Sequence, residues 1–108
     1  MGEIIYNKLV RDHIPQIIKN DGQTPITRTL NIDEYKKALL DKLVEESKEL
    51  QESGGDIGER ADVGEVLRAI DAIFGLDSDA IELERTKKSN KRGGFEKRIF
   101  LENVQTND

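Results

Sequence analysis

An all-α fold is what this chain predicts, on three observations. Apolar residues recur at helical spacing through two long runs, Asp33 to Ser53 and Ile57 to Phe74. Capping residues and glycines punctuate the chain: Asn31 or Asp33 and Asp77 or Ser78 at starts, Gly22, Gly75 and Gly93 or Gly94 at ends. Charged residues make up 36% of the 108 residues and aromatics 5%, a balance suited to helices with heavily charged outer faces.

Taken in order, Ile4-Ile5-Tyr6 reads as a short extended arm. Asp12 is placed to cap a short helix, with Pro15 in its first turn, Ile14, Ile17 and Ile18 on one face and Gly22 ending it near Asn20-Asp21. Gln23 to Leu30, with Pro25 and several threonines, reads as an extended connector or a short strand. Asn31 and Glu34 have capping-box spacing, with Asp33 a competing cap. In the run that follows, Tyr35, Leu39, Leu40, Leu43 and Leu50 form an apolar stripe opposite Lys36, Lys37, Asp41 and Lys48. The next run carries Val63, Val66, Leu67, Ile70, Ile73 and Phe74. Gly64 inside it costs about 1 kcal/mol against alanine, which points to close packing or substrate approach, and Gly75 ends the helix. A further helix is expected from Asp77 or Ser78 to about Asn90, with Ile81 and Leu83 its large apolar residues. Phe95 to Leu101 reads as a short extended or turn segment, and the residues from Gln105 on as a frayed tail.

The length fits a single domain, 1–104, followed by the tail 105–108, and a chain this small gains from oligomerisation. A formal net charge of -5 argues against a general nucleic-acid-binding role, which needs excess lysine and arginine. Without cysteine there are no disulfides, no thiolate catalysis and no zinc–thiolate site. The start, Met1-Gly2-Glu3-Ile4-Ile5-Tyr6, lacks the basic and apolar regions of a signal peptide. No run approaches the roughly 20 apolar residues of a membrane span. A cytoplasmic protein is the default expectation.

The stretch Glu45-Glu46-Ser47-Lys48-Glu49, answered by Glu59-Arg60-Ala61-Asp62, stands out. Residues three apart lie about 60° apart around a helix, so Glu46 neighbours Glu49 and Glu59 neighbours Asp62. The Gly-rich link Ser53-Gly54-Gly55-Asp56 folds the two runs antiparallel and brings four or five carboxylates together. Such a cluster repels itself unless a cation neutralises it, and carboxylate oxygens are the ligands Mg²⁺ prefers. The competing reading is a solvated acidic face, which a single Glu-x-x-Glu pair would suit. Two pairs flanking one tight turn fit it less well: Lys36 and Lys37 serve Asp33 and Glu34, whereas Glu45 and Glu46 are followed only by Lys48 and Glu49. Di-iron carboxylate bundles need Glu-x-x-His pairs, and the sole histidine, His13, lies outside both acidic runs; a structural or surface role is expected for it.

A second constellation is basic: Arg85, Lys87, Lys88, Lys91, Arg92, Lys97 and Arg98, around Gly93-Gly94. Lys87 and Lys88 read as a solvated helix end. Arg92, Lys97 and Arg98 are candidate phosphate contacts, with the glycines letting backbone amides approach an anion. Lys8 and Arg11, flanking Leu9-Val10, are candidates for the same work.

The pattern Glu45-Glu46-x-x-Glu49, then Glu59-x-x-Asp62, resembles the signature of the all-α nucleoside triphosphate pyrophosphohydrolases, the MazG-like superfamily, which includes phosphoribosyl-ATP pyrophosphohydrolases and dimeric dUTPases. Asn7-Lys8-Leu9-Val10-Arg11-Asp12-x-Ile14-Pro15 and Arg92-Gly93-Gly94-Phe95-x-Lys97-Arg98 are similar to its small single-domain branch of predicted house-cleaning enzymes for noncanonical nucleotides. The resemblance runs from about Tyr6 to Leu101. It implies a helical bundle completed by dimerisation into a homodimer or homotetramer, with short extended N- and C-terminal segments. It also implies Mg²⁺-dependent cleavage, Mn²⁺ being a possible substitute, between the α and β phosphates of a nucleoside triphosphate. By matching positions Glu46, Glu49, Glu59 and Asp62 would hold the metal. Glu45 would be a further ligand or orient the water, with Glu45 or Glu46 as general base. The alternative is a non-catalytic helical module that binds nucleotide or mediates oligomeric interactions.

Overall fold

A computed structural model describes residues 2 to 107; the expectations that fall on Met1 and Asp108 lie outside the described residues. Among the described residues there are four helices and no strand: α1 (Ile14–Asn20), α2 (Ile32–Glu52), α3 (Ile57–Ile73) and α4 (Ser78–Arg92). The all-α class is as the sequence predicts, and Gln23 to Leu30 is a connector rather than a strand. No helix among these residues is long and apolar enough to cross a membrane. The chain forms two compact units, one ending at Leu76 and one starting at Asp77.

Side-chain capping sets where α2 and α3 start. Asn31 accepts from the Glu34 amide at 2.9 Å while Glu34 accepts from the Asn31 amide at 3.3 Å, a complete capping box at the head of α2. Asp33 lies inside the helix instead, in the first turn, where its negative charge suits the helix dipole. Asp56 caps α3, accepting from Gly58 and Glu59 amides. At α1 the structure corrects the expected cap. His13, not Asp12, is the cap residue; it has helical backbone angles and makes no side-chain capping bond, so α1 starts on Pro15 in its first turn.

Three helix ends share one device. The amide two residues past the cap reaches back to the carbonyl five residues before it: Gln23 to Ile18, Gly55 to Leu50 and Leu76 to Asp71. Each motif needs a left-handed residue after the cap, and Gly22, Gly54 and Gly75 supply it with φ of 83°, 71° and 65°.

α2 and α3 are the packed pair of the first unit. Leu39, Val66 and Ile70 form its buried centre, joined by Tyr35, Leu43, Ala69 and Ile73 and by Leu9 from the segment before α1. Leu39 and Ile70 stand almost equally far from the connecting loop, which makes the pair antiparallel. The expected stripe of α2 is only partly buried: Leu40 is 47% exposed, one position off the inward face. Gly64 lies under the Arg60 guanidinium, where an added Cβ would sit 3.2 Å from a guanidinium nitrogen, so the close approach at this glycine is made by a side chain of its own helix.

In the second unit α4 opens on Asp77, whose carboxylate accepts from the Ala80 amide, and runs two residues past the expected end, to Arg92. Lys91 and Arg92 occupy its last turn, where positive charge suits the helix dipole. None of its residues is buried. Beyond Gly93, the Arg98 amide donates to the Phe95 carbonyl at 3.0 Å, so Phe95 to Arg98 is a turn rather than an extended strand.

Candidate metal centre

The inward stripe of α2 is Leu39, Leu43, Glu46 and Leu50, spaced four, three and four residues apart; that of α3 is Glu59, Val63, Val66 and Ile70, spaced four, three and four. Helical geometry puts each set on one face. Near the connecting loop, therefore, a glutamate occupies a core position on both helices. Glu46 is 7% exposed, the one buried charged residue among those described. Glu49, three residues after Glu46, borders the same face, and one carboxylate oxygen each from Glu46, Glu49 and Glu59 lie within 4.8 Å of one another.

Cations stand on one side of this trio. Lys42, itself largely buried, reaches Glu46 at 3.3 Å and Glu45 at 3.5 Å. From the segment before α1, Lys8 reaches Glu45 at 3.2 Å and Arg11 reaches Asp62 at 2.7 Å. Leu9, between them, is packed into the core and anchors that segment, and Asn7 ahead of it takes a left-handed turn with φ of 44°, a conformation asparagine tolerates.

These contacts leave an imbalance. The second oxygens of Glu46 and Glu59 are buried and have no hydrogen-bond partner. A buried unpaired carboxylate oxygen is costly. Burial, and then the neighbouring Glu49 carboxylate, push the Glu46 carboxyl above the ordinary glutamate range, and Lys42 offsets this only in part. Glu45 is the opposite case. Burial pushes its carboxyl upward, but the Lys8 hydrogen bond and the charges of Lys42 and Lys8 outweigh that, and its pKa is lowered. Reciprocally, the Glu45 hydrogen bond raises the Lys8 ammonium. A divalent cation among the trio would satisfy the orphaned oxygens and offset the Glu46–Glu49 repulsion. An all-oxygen carboxylate donor set is of the kind Mg²⁺ and Mn²⁺ take. The residues present fit such an ion.

Of the residues the sequence singles out, Glu46, Glu49 and Glu59 come together. Asp62 stands outside the trio, on Arg11, and Glu45 sits at its edge between two lysines. Arg92, Lys97 and Arg98 belong to the second unit, where Arg92 to Ile99 line an open depression of about 380 Å³. There the Glu96 carboxylate folds against Gly94, and Arg98 has a left-handed backbone with φ of 58°. Sequence reasoning missed Lys42. Its signal lies behind the acidic pair rather than ahead of it: three residues before Glu45 and four before Glu46 is within helical reach.

A stretch of 44 residues is 54% identical to part of a protein of Mycolicibacterium smegmatis described as uncharacterized, covering 41% of this chain. The match spans 45% of that protein's length. No family model and no solved structure matches the chain.

Proposed function

We propose that this protein is a Mg²⁺-dependent nucleoside triphosphate pyrophosphohydrolase of the MazG-like kind, cleaving between the α and β phosphates to give a monophosphate and pyrophosphate. The observation that carries the reading is a buried, partnerless oxygen on each of Glu46 and Glu59, two residues whose carboxylates gather with that of Glu49. Folding alone does not explain carboxylates at core positions; a cation requirement does. When bound, the ion would supply positive charge for phosphoryl oxygens and acidify a water.

The protein's own groups divide the remaining work. Glu46, Glu49 and Glu59 would hold the ion, while Asp62, three residues past Glu59, is engaged by Arg11. Glu45, kept charged and weakly basic by Lys8 and Lys42, is suited to orienting the attacking water by accepting a hydrogen bond. Whichever of Glu45 and Glu46 the ion leaves uncommitted is the general base. Lys8 and Arg11, which pair with Glu45 and Asp62, are proposed to meet phosphate oxygens, as Arg92, Lys97 and Arg98 are on sequence grounds. Leu40 and Val44 of α2, Leu67 of α3 and Phe74 just past its end stay more than a third exposed, which supports completion of the bundle by a second copy.

The test is pyrophosphate release from a panel of ordinary, deoxy and damaged nucleoside triphosphates with Mg²⁺. Glu49→Ala is expected to lower turnover by about 10³-fold, roughly 4 kcal/mol of transition-state stabilisation, with an unchanged circular dichroism spectrum. Full activity in that variant overturns the assignment. Thermal stabilisation by nucleotide without product in the wild type points instead to a non-catalytic binding module.

A further inference from the structure

We propose that Arg11 is a mask on Asp62: with no phosphate present it holds that carboxylate out of the metal trio, and an anionic polyphosphate that draws the guanidinium away releases Asp62 as a fourth ligand. The inference rests on the metal reading above and adds to it a coupling between the two halves of a metal–polyphosphate ligand.

Five features of the first unit support it. Asp62 follows Glu59 by three residues on α3, so the two side chains are neighbours on one helix face. Yet Asp62 is absent from the trio and is bonded through Oδ1 to Arg11 Nη2 at 2.7 Å. The described ion pairs give Asp62 this one cation, whereas Glu45, the parallel case, has both Lys8 and Lys42. Both partners are half-exposed, with side-chain exposures of 57% and 44%, so water and ions compete for the pair. The trio meanwhile has unmet demand: Glu46, nine-tenths buried, keeps an oxygen without a partner, as does Glu59 next to Asp62.

The exchange follows from donor chemistry. A guanidinium offers several N–H groups in a fork that matches phosphate oxygens, and the structure records one nitrogen engaged with Asp62. The backbone near Arg11 is held by Leu9 in the core, so the side chain can change partner without moving the segment. Swapping Asp62 for a phosphate leaves the arginine paired and turns a spent carboxylate into an available one. Arg11 is thus a positioning residue for the ion as well as a phosphate contact.

The experiment uses Mn²⁺ alone, without nucleotide, and measures its binding to the full chain by calorimetry. The chains compared are the wild type, Arg11→Gln, Asp62→Asn, the double variant and Lys8→Gln. Lys8→Gln controls for charge, since the Lys8 charge also acts on Glu49 and Glu46. Arg11→Gln is expected to tighten Mn²⁺ about tenfold, more than Lys8→Gln does, and the double variant to return to the wild-type value. Asp62→Asn alone is expected to change affinity less than threefold, because a masked carboxylate contributes no ligand. This second variant keeps the inference open to refutation even if Arg11→Gln fails to fold. A gain in Arg11→Gln no larger than in Lys8→Gln, or a loss of threefold or more in Asp62→Asn, overturns the inference and leaves the metal site standing. No Mn²⁺ uptake by the wild type overturns the metal reading and this inference together.

Discussion

The two ends of the α2–α3 pair are built on the same stripe and filled with opposite chemistry. Away from the loop, Leu39, Val66 and Ile70 close a small apolar centre; beside the loop, Glu46 and Glu59 occupy the equivalent inward positions. The first end is where the helices gain stability by excluding water. The second is where they give some of it back, because a carboxylate is being kept from water without full compensation. The contrast separates what holds the fold from what is left without a partner, and each half has its own response to substitution.

The largest effect on folding is expected at the apolar end. Leu39→Ala should destabilise by about 3 kcal/mol in denaturant unfolding, since Leu39 is 3% exposed and central to the cluster. A cost under about 1 kcal/mol would mean that this end is not the structural core. Next in size is the response to metal. Mg²⁺ at about 100 times its dissociation constant should stabilise the wild type by roughly 2.7 kcal/mol, and Glu46→Gln should lose most of that gain in a thermal melt. Equal stabilisation of both chains would detach the ion from the acidic end.

A smaller effect concerns pH. The raised Glu46 carboxyl favours the folded state while protonated. Its stabilising contribution is therefore complete below the ordinary glutamate pKa and is lost as pH rises through the raised value. The metal-free wild type should become less stable across that window relative to Glu46→Gln. Urea unfolding of both chains along a pH series measures it; parallel curves would contradict the cause assigned to the shift. The smallest effect belongs to neither end. Lys37→Ala breaks the surface pair with Asp41 at 3.0 Å and should change stability by less than about 0.5 kcal/mol, which a denaturation midpoint will register as near zero.

Much of this architecture is legible in the sequence. α2 starts where the Asn31–Glu34 spacing puts it, and Gly75 ends α3 as expected, because caps and left-handed glycines are local chemistry. The start of α1 is less so. Asp12 is the better capping residue by type, but the chain enters the helix through His13 and Pro15 without a side-chain cap. Leu40 reads as part of the stripe because a leucine beside a leucine looks equally apolar; only the partner helix decides which one faces inward. At the acidic end the four-three spacing that carries Leu39 and Leu43 on to Glu46 is present in the sequence, as is its counterpart from Glu59 to Val63 and Val66. That spacing is the sharper signal for burial than the number of acids. The pairing of Lys8 with Glu45 and Arg11 with Asp62 joins residues 37 and 51 apart, a separation no helical period reports.

The link between the two helices has a bearing on how such a protein can change. Ser53 donates from its hydroxyl to the Leu50 carbonyl at the tail of α2 and accepts from the Asp56 amide, and Asp56 in turn caps α3. One serine thus ties the finish of one rod to the onset of the next, so the rotational phase between Glu49 and Glu59 is dictated by polar bonds within the link. Adding a single residue to that link would break these bonds, and because the acidic and the oily contacts lie on the same two rods, a turn that parts Glu46 from Glu59 would part Leu39 from Val66 and Ile70 as well.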